Sequence, residues 1–230
     1  MTSDPKIIAL ALTGGLIPAL LWLWFWIKRE QKKSEPKGVL AIIFIAGMIG
    51  VVFVLPIQKF IHAHISSPDG QLILWASAEE IIKYLVVLLI LYRTTYIDEP
   101  MEWPIYMMTA ALGFAGLENA LFLVKPLDIG NNLMGLLTGE LRFLGSTLLH
   151  AISSGILGIT LGISLHMGWF KKKIYFIVGL ILAIALHSIF NFFIIGENAG
   201  DLNNFFKVCG FLWVVTIIVM LLFEKVRRMD

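Results

Sequence analysis

Residues 39–57 read VLAIIFIAGMIGVVFVLPI, an apolar run without a single charged side chain. About 20 apolar residues is the length that a helix needs to cross a bilayer. Runs of this kind recur on both sides of it, and none shows the alternation of a barrel strand. We therefore predict an all-α membrane bundle of seven transmembrane helices, at residues 7–27, 39–57, 72–91, 105–124, 143–167, 174–195 and 205–223.

The composition favours a membrane protein and excludes several other classes. Hydrophobic residues make up 58% of the 230 positions and charged residues 15%, whereas soluble proteins average about 25% charged. The net charge of +2 and the absence of phosphate-loop and dinucleotide motifs predict no nucleic acid and no nucleotide as partners. The lone Cys209 excludes an internal disulfide. No linker divides the chain, so residues 1–230 are predicted to form one domain, and no cleavable signal is expected.

Lysine and arginine residues are distributed unevenly between the predicted spans. Twelve of them fall on one side of the bundle, and the four on the other side are Lys6, Lys59, Lys125 and Lys207. Cytoplasmic connections carry the excess of positive charge in membrane proteins. The pattern therefore predicts a multi-pass protein of the cell membrane, embedded in the lipid bilayer, with its N-terminus outside and its C-terminus in the cytoplasm.

Ionisable and amide side chains interrupt four of the predicted spans. They are Glu79, Glu80 and Lys83 in the third, Glu118 and Asn119 in the fourth, His150 in the fifth, and His187 and Asn191 in the sixth. A charge at the centre of a span costs about 2.5 to 3.5 kcal/mol on insertion scales, so such residues indicate function. With a rise of about 1.5 Å per residue, Glu79, Glu118, His150 and His187 lie about 9 to 12 Å from the outer ends of their spans. We expect them to meet at one level, in the outer third of the bilayer.

The order and spacing of these motifs resemble those of a known family. EEIIK at 79–83, FAGLEN at 114–119, His150 with Ser154, and His187 with Asn191 are similar to the motifs of the PrsW family of intramembrane proteases. This family is related to the CAAX-processing and bacteriocin-immunity membrane proteases. The glutamate and lysine at positions 118 and 83 replace the His and Arg of the CAAX branch and favour the PrsW branch. The resemblance covers residues 72–195, and the outer spans match only as apolar helices.

The resemblance implies an intramembrane endopeptidase that cuts a single-span membrane protein, such as an anti-sigma factor, near its extracytoplasmic side. The chemistry that the residues indicate is the activation of water. Glu79 or Glu80 can take a proton from water and return it to the leaving amine, and His150 can orient that water. His187 and Asn191 can donate hydrogen bonds to the developing oxyanion.

Several further residues are predicted to support the site. Lys83 would keep one carboxylate ionised, and Glu118 would orient a histidine or act as a second acid. Phe114 shares a helical face with Glu118, because it lies one turn earlier. Asn119 either supports the site or joins two helices, and joining helices is also the role expected of Ser154.

A metal site is the alternative to a glutamate that acts without one. His150, His187, Glu118 and Glu79 are the candidate ligands, since three protein ligands and one water make a catalytic zinc site. The two histidines do not share a motif, and the CAAX-type relatives suggest a glutamate-activated water. The sequence therefore favours a mechanism without a cofactor and leaves zinc open.

Three other interpretations remain open. Glu79 and Glu80 could form a structural ion pair with Lys83 or Arg142. Chains of acids and histidines also form proton relays in transporters and channels, although a relay should extend across the membrane. The third alternative is a non-catalytic membrane scaffold.

The histidines expected to be solvated or interfacial are His62, His64 and His166.

Overall fold

The computed structural model describes residues 4–29, 36–128, 143–195 and 202–229, and within these ranges the chain forms seven α-helices and no β-strand. The helices are α1 (Pro5–Arg29), α2 (Lys37–His64), α3 (Pro68–Leu91), α4 (Glu102–Asp128), α5 (Leu148–Ile163), α6 (Trp169–Ile195) and α7 (Leu202–Arg227). A π-helical turn, Phe143–Thr147, leads into α5. The predicted all-α fold is confirmed at this level.

Each predicted span falls on one of these helices, and the fifth is the span that extends past the end of its helix. The predicted span 143–167 begins in the π-helical turn, and its α-helix already ends at Ile163. Beyond this point the Leu165 N–H donates to Gly162 O at 3.0 Å, and the Met167 N–H donates to Ser164 O at 2.9 Å. These bonds reach back three residues instead of four, so turns replace the helix. The predicted end at residue 167 is therefore wrong.

In the part of the chain that the structure describes, five helices are long and apolar enough to cross a membrane by length and composition. They are Pro5–Arg29, Lys37–His64, Glu102–Asp128, Gly145–Ile163 and Trp169–Phe193. Helix α3 is of similar length, but Glu79, Glu80 and Lys83 lie near its centre. The chain is thus a multi-pass membrane protein, while the seven-span topology and the orientation of its termini stay predictions.

Small residues let helix α2 approach α4 closely. A Cβ atom on Gly47 of α2 would collide with the backbone oxygen of Ala110, and one on Gly113 of α4 would collide with that of Phe44. Helices in membranes commonly pack through such small residues. The close packing fixes α4 inside the bundle and, with it, the position of Glu118 one turn further along the helix.

The bundle places many large apolar side chains outward and buries charged side chains of α3. Leu89 is 74% exposed, Phe170 is 70% exposed and Phe53 is 64% exposed, whereas Glu80 and Lys83 are fully buried. Such an exterior suits lipid, in which the protein has to satisfy its polar groups internally. The buried charges are not needed to cover an aqueous surface, so they call for a functional explanation.

Candidate active site

Four helices bring charged and imidazole side chains into one cluster. The members are Glu79, Glu80 and Lys83 from α3, Glu118 from α4, His150 from α5 and His187 from α6. Every member except Glu118 is at most 4% exposed, and the side chain of Glu118 is 17% exposed. The structure thus brings together the residues that the sequence placed at one level, while their chemical roles stay predictions.

Glu80 is the most enclosed carboxylate of the cluster. Its Oε1 accepts hydrogen bonds from Lys83 Nζ at 2.8 Å and from Ser153 Oγ at 3.1 Å, and its Oε2 accepts one from Ser154 Oγ at 2.7 Å. His187 Nδ1 lies 2.9 Å from Oε1. An ionised carboxylate can only accept, so Nδ1 of His187 is the donor and a neutral ring keeps its lone pair on Nε2. Glu80 therefore anchors three helices, and Ser154 joins α5 to this carboxylate.

Glu79, the adjacent acid, faces the two imidazoles. Its Oε1 accepts a hydrogen bond from Gln58 Nε2 at 2.9 Å. Its Oε2 lies 3.5 Å from His187 Nε2 and 3.9 Å from both His150 Nδ1 and Lys83 Nζ. Because neighbouring residues of a helix point about 100° apart, the two acids meet different partners. Glu79 is thus the carboxylate that is placed between both histidines.

Gln58 is a site residue that the sequence analysis missed. It lies on α2, half-buried, and the Trp75 Nε1–H donates to its backbone oxygen at 3.2 Å, which ties this part of α2 to α3. The predicted second span ended at residue 57, whereas α2 continues to His64. A signal was present, because a glutamine that directly follows an apolar run lies within reach of the neighbouring spans if the helix continues.

Both ring nitrogens of His150 have partners. Nε2 lies 3.0 Å from Glu118 Oε2, and Nδ1 lies 2.7 Å from Lys83 Nζ. The carboxylate accepts and the ammonium donates, so a neutral His150 carries its proton on Nε2. The Phe114 ring lies 5.7 Å from the His150 ring and 4.8 Å from Lys83 Nζ, where it can stabilise the cation. The contact between Glu118 and His150 fits one of the two roles predicted for Glu118, the orientation of a histidine, and this role stays a prediction.

The two predicted asparagines have different surroundings. The Asn119 Nδ2 donates to Thr147 Oγ1 at 2.8 Å, which ties α4 to the π-helical turn that leads to His150. Turns of this kind occur frequently at functional sites. Asn191 lies one turn after His187 on α6 and is half-buried. Asn119 thus fixes the backbone before α5, whereas Asn191 shares a face of α6 with His187.

Glu79, His150 and His187 could together hold a metal ion. One donor atom from each lies within 4.8 Å of the others. Two imidazoles and one carboxylate form a known ligand set of catalytic zinc, and carboxylates commonly orient such imidazoles from behind. Glu80 and Glu118 occupy these outer positions here. Glu118, also a predicted ligand, lies outside the group of three.

The formal charges of the cluster also fit a divalent cation. The cluster contains three carboxylates and one ammonium, so within the described residues it has an excess of two negative charges when both imidazoles are neutral. A divalent ion would neutralise this excess in a medium where uncompensated charge is costly. The donor set and the charge therefore both fit zinc.

The remaining predicted polar residues lie away from the cluster or outside the described residues. His62, His64 and His166 are exposed, as expected. Arg142, the alternative partner for the two adjacent acids, falls outside the described residues. Lys83 Nζ lies 2.8 Å from Glu80 and 3.9 Å from Glu79. The predicted structural ion pair therefore exists, and Glu80 is its close partner.

A helical membrane bundle that buries two imidazoles among three carboxylates has the architecture and the donor set of a membrane-embedded hydrolase. The sequence profile of a family described as "PrsW family intramembrane metalloprotease" matches residues 35–223. The chain therefore belongs to the PrsW family of membrane proteases. The resemblance seen in four motifs is confirmed, and the match extends beyond residues 72–195 on both sides.

Curated relatives agree with this assignment. The chain is similar to Protease PrsW of Oceanobacillus iheyensis, with 30% identity over 83% of this chain and 86% of that protein. Protease PrsW of Geobacillus kaustophilus is 26% identical over 81% of this chain and 80% of its own length. Protease PrsW of Shouchella clausii is 26% identical over 89% of this chain and 92% of its own length. No solved structure matches the chain.

The family description bears on the choice between a metal and a glutamate that acts without one. It names a metalloprotease, and the described residues contain a Glu/His/His group of suitable donors. Both observations favour the zinc alternative over the cofactor-free mechanism that the sequence favoured.

Proposed function

We propose that this protein hydrolyses a peptide bond of a membrane-anchored substrate, and that Glu79, His150 and His187 form the centre of its active site. The observation that carries the proposal is the position of Glu79 Oε2 between the two imidazoles, 3.5 Å from His187 Nε2 and 3.9 Å from His150 Nδ1. The substrate that the family resemblance implies is a single-span membrane protein such as an anti-sigma factor. Residues 1–230 would act as one domain.

The residues of the proposed active site have separate roles in the hydrolysis. Without a bound metal, Glu79 Oε2 meets the reacting water, takes its proton and returns it to the leaving amine. Glu118 and Glu80 hold the rings of His150 and His187 in orientation through 3.0 Å and 2.9 Å contacts. If a zinc ion is bound, Glu79, His150 and His187 would hold it; Glu79 would then serve as a ligand, and the ion would supply the Lewis acidity that activates water and polarises the substrate carbonyl.

The predicted oxyanion donors are revised by the hydrogen bonds of His187. Its Nδ1 donates to Glu80, so Nε2 of the neutral ring accepts and suits a metal or a proton better than an oxyanion. The Asn191 side chain carries two N–H donors and lies one turn further along α6. Asn191 is therefore the residue that we propose as oxyanion donor.

Seven spans with the N-terminus outside and the C-terminus in the cytoplasm are proposed for the chain. A tag placed before Thr2 should be labelled from outside in intact cells, and a reporter after Arg228 should be active only in the cytoplasm, because Lys and Arg set the orientation. Site-specific labelling with a membrane-impermeant reagent measures this. The opposite labelling would place the active site nearer the cytoplasmic side and remove cleavage at the outer face.

Removal of metal tests the proposed function directly. Cleavage of a reporter built on a single-span anti-sigma factor should fall to below about a tenth after treatment of the purified protein with a strong chelator. Addition of zinc should restore it, and mass spectrometry should then find about one zinc per chain. Undiminished cleavage by protein that contains far less than stoichiometric metal would contradict the zinc part of the proposal. A purified, folded protein that never cuts such reporters would contradict the proposed substrate class.

A further inference from the structure

The ammonium group of Lys83 lies among the donor atoms of the active site. It is fully buried and lies 2.8 Å from Glu80 Oε1, 2.7 Å from His150 Nδ1 and 3.9 Å from Glu79 Oε2. The Phe114 ring covers it at 4.8 Å. A cation that is surrounded by carboxylates, an imidazole lone pair and an aromatic face is well stabilised in a membrane interior. The chain thus provides its own cation at this place.

Two of the atoms that Lys83 approaches belong to the residues that fit a metal ion. His150 Nε2 is engaged with Glu118, which leaves Nδ1 for a metal, and Lys83 Nζ already occupies the lone pair of Nδ1. One lone pair cannot bind an ammonium proton and a metal ion together. In the described arrangement, therefore, His150 offers a metal no nitrogen until Lys83 Nζ moves.

We propose that Lys83 is an internal placeholder, whose ammonium group holds His150 Nδ1 when metal is absent and is displaced when metal binds. The inference rests on the zinc part of the proposed function. Glu80 remains as the second partner of Lys83, and the flexible four-carbon stem lets Nζ leave His150 while it keeps the bond to Glu80. Lys83 is thus a positioning residue that competes with the metal for one ligand.

The proposal predicts the effect of Lys83 on metal affinity. Lys83→Met removes both the competitor for His150 Nδ1 and a positive charge close to the ion, so zinc should bind at least about tenfold tighter than to the wild type. Binding is measured in detergent by competition with a chromophoric zinc chelator. Lys171→Met is the matched control, because this exposed residue lies on α6 about 24 Å before His187. The control should stay within about twofold of the wild type.

A second measurement needs only the wild-type protein, so it tests the displacement of Lys83 even if Lys83→Met does not fold. X-ray absorption of the zinc-loaded wild type should show two imidazole ligands, because displacement of Lys83 releases His150. A single imidazole, an unchanged or weaker affinity in folded Lys83→Met, or no zinc binding at all would overturn the proposal. Neither measurement uses cleavage. An inactive protein with the expected zinc behaviour would therefore contradict the protease substrate and leave the role of Lys83 intact.

Discussion

Replacement of Glu79 by glutamine is expected to reduce substrate cleavage by about 10² to 10⁴, because the site loses the carboxylate that takes the proton of water or, with zinc bound, helps to hold the ion. The substitution keeps the size of the side chain and an oxygen that can accept from Gln58 Nε2. It also removes a formal charge from the membrane interior, which lowers a desolvation cost. Activity should therefore fall while the helical bundle remains as stable as before.

The measurement compares initial cleavage rates with thermal unfolding in the same detergent. Glu224→Gln is the matched control, since Glu224 lies on α7 at the surface and pairs with Arg227 and Arg228. The control should cleave at the wild-type rate. If Glu79→Gln also cleaves at that rate, or loses activity only together with stability, Glu79 is structural and the proposed centre is wrong.

The all-helical fold could be predicted because lipid leaves the backbone few alternatives. Apolar runs of spanning length have to form helices, and each predicted span falls on a helix of the structure. Errors arise where the apolar pattern continues past the end of the helix. Leu165 and Met167 extended the predicted fifth span, although backbone turns already replace the helix there. An apolar pattern indicates which residues lie in lipid, whereas the end of a helix depends on local backbone hydrogen bonds.

The meeting of the four motifs was also predictable, but the partners of each side chain were not. Charges that are costly in lipid have to be satisfied by one another, so residues at one depth on neighbouring helices are expected to meet. Which atoms meet depends on the rotation of each helix about its axis, which the spacing of residues along one chain does not define. The assignment of Glu80 to Ser153 and Ser154, and of Glu79 to Gln58, therefore came only from the structure.

The two adjacent acids should differ most clearly in their effects on stability. Glu80→Leu is expected to destabilise the protein by about 3 to 5 kcal/mol, because the buried Lys83 ammonium loses its close partner and keeps only Glu79 Oε2 at 3.9 Å. Lys83 Nζ would lose its 2.8 Å bond to Glu80, and the hydroxyl groups of Ser153 and Ser154 would lose their acceptor. Glu79→Gln, in contrast, leaves this anchor untouched.

A double-mutant cycle separates the ion pair from the remaining hydrogen bonds. Glu80→Leu combined with Lys83→Met removes both charges, so the double variant should be more stable than Glu80→Leu alone, although Ser153, Ser154 and His187 still lack their acceptor. Unfolding free energies of the four proteins in the same detergent give the coupling between the two residues, which is expected to be about 1 to 3 kcal/mol. Additive effects would mean that the 2.8 Å contact contributes nothing to stability. A Glu80→Leu variant as stable as the wild type would show that Glu80 does not anchor the cluster. Glu80 would then again be a candidate for the carboxylate that activates water.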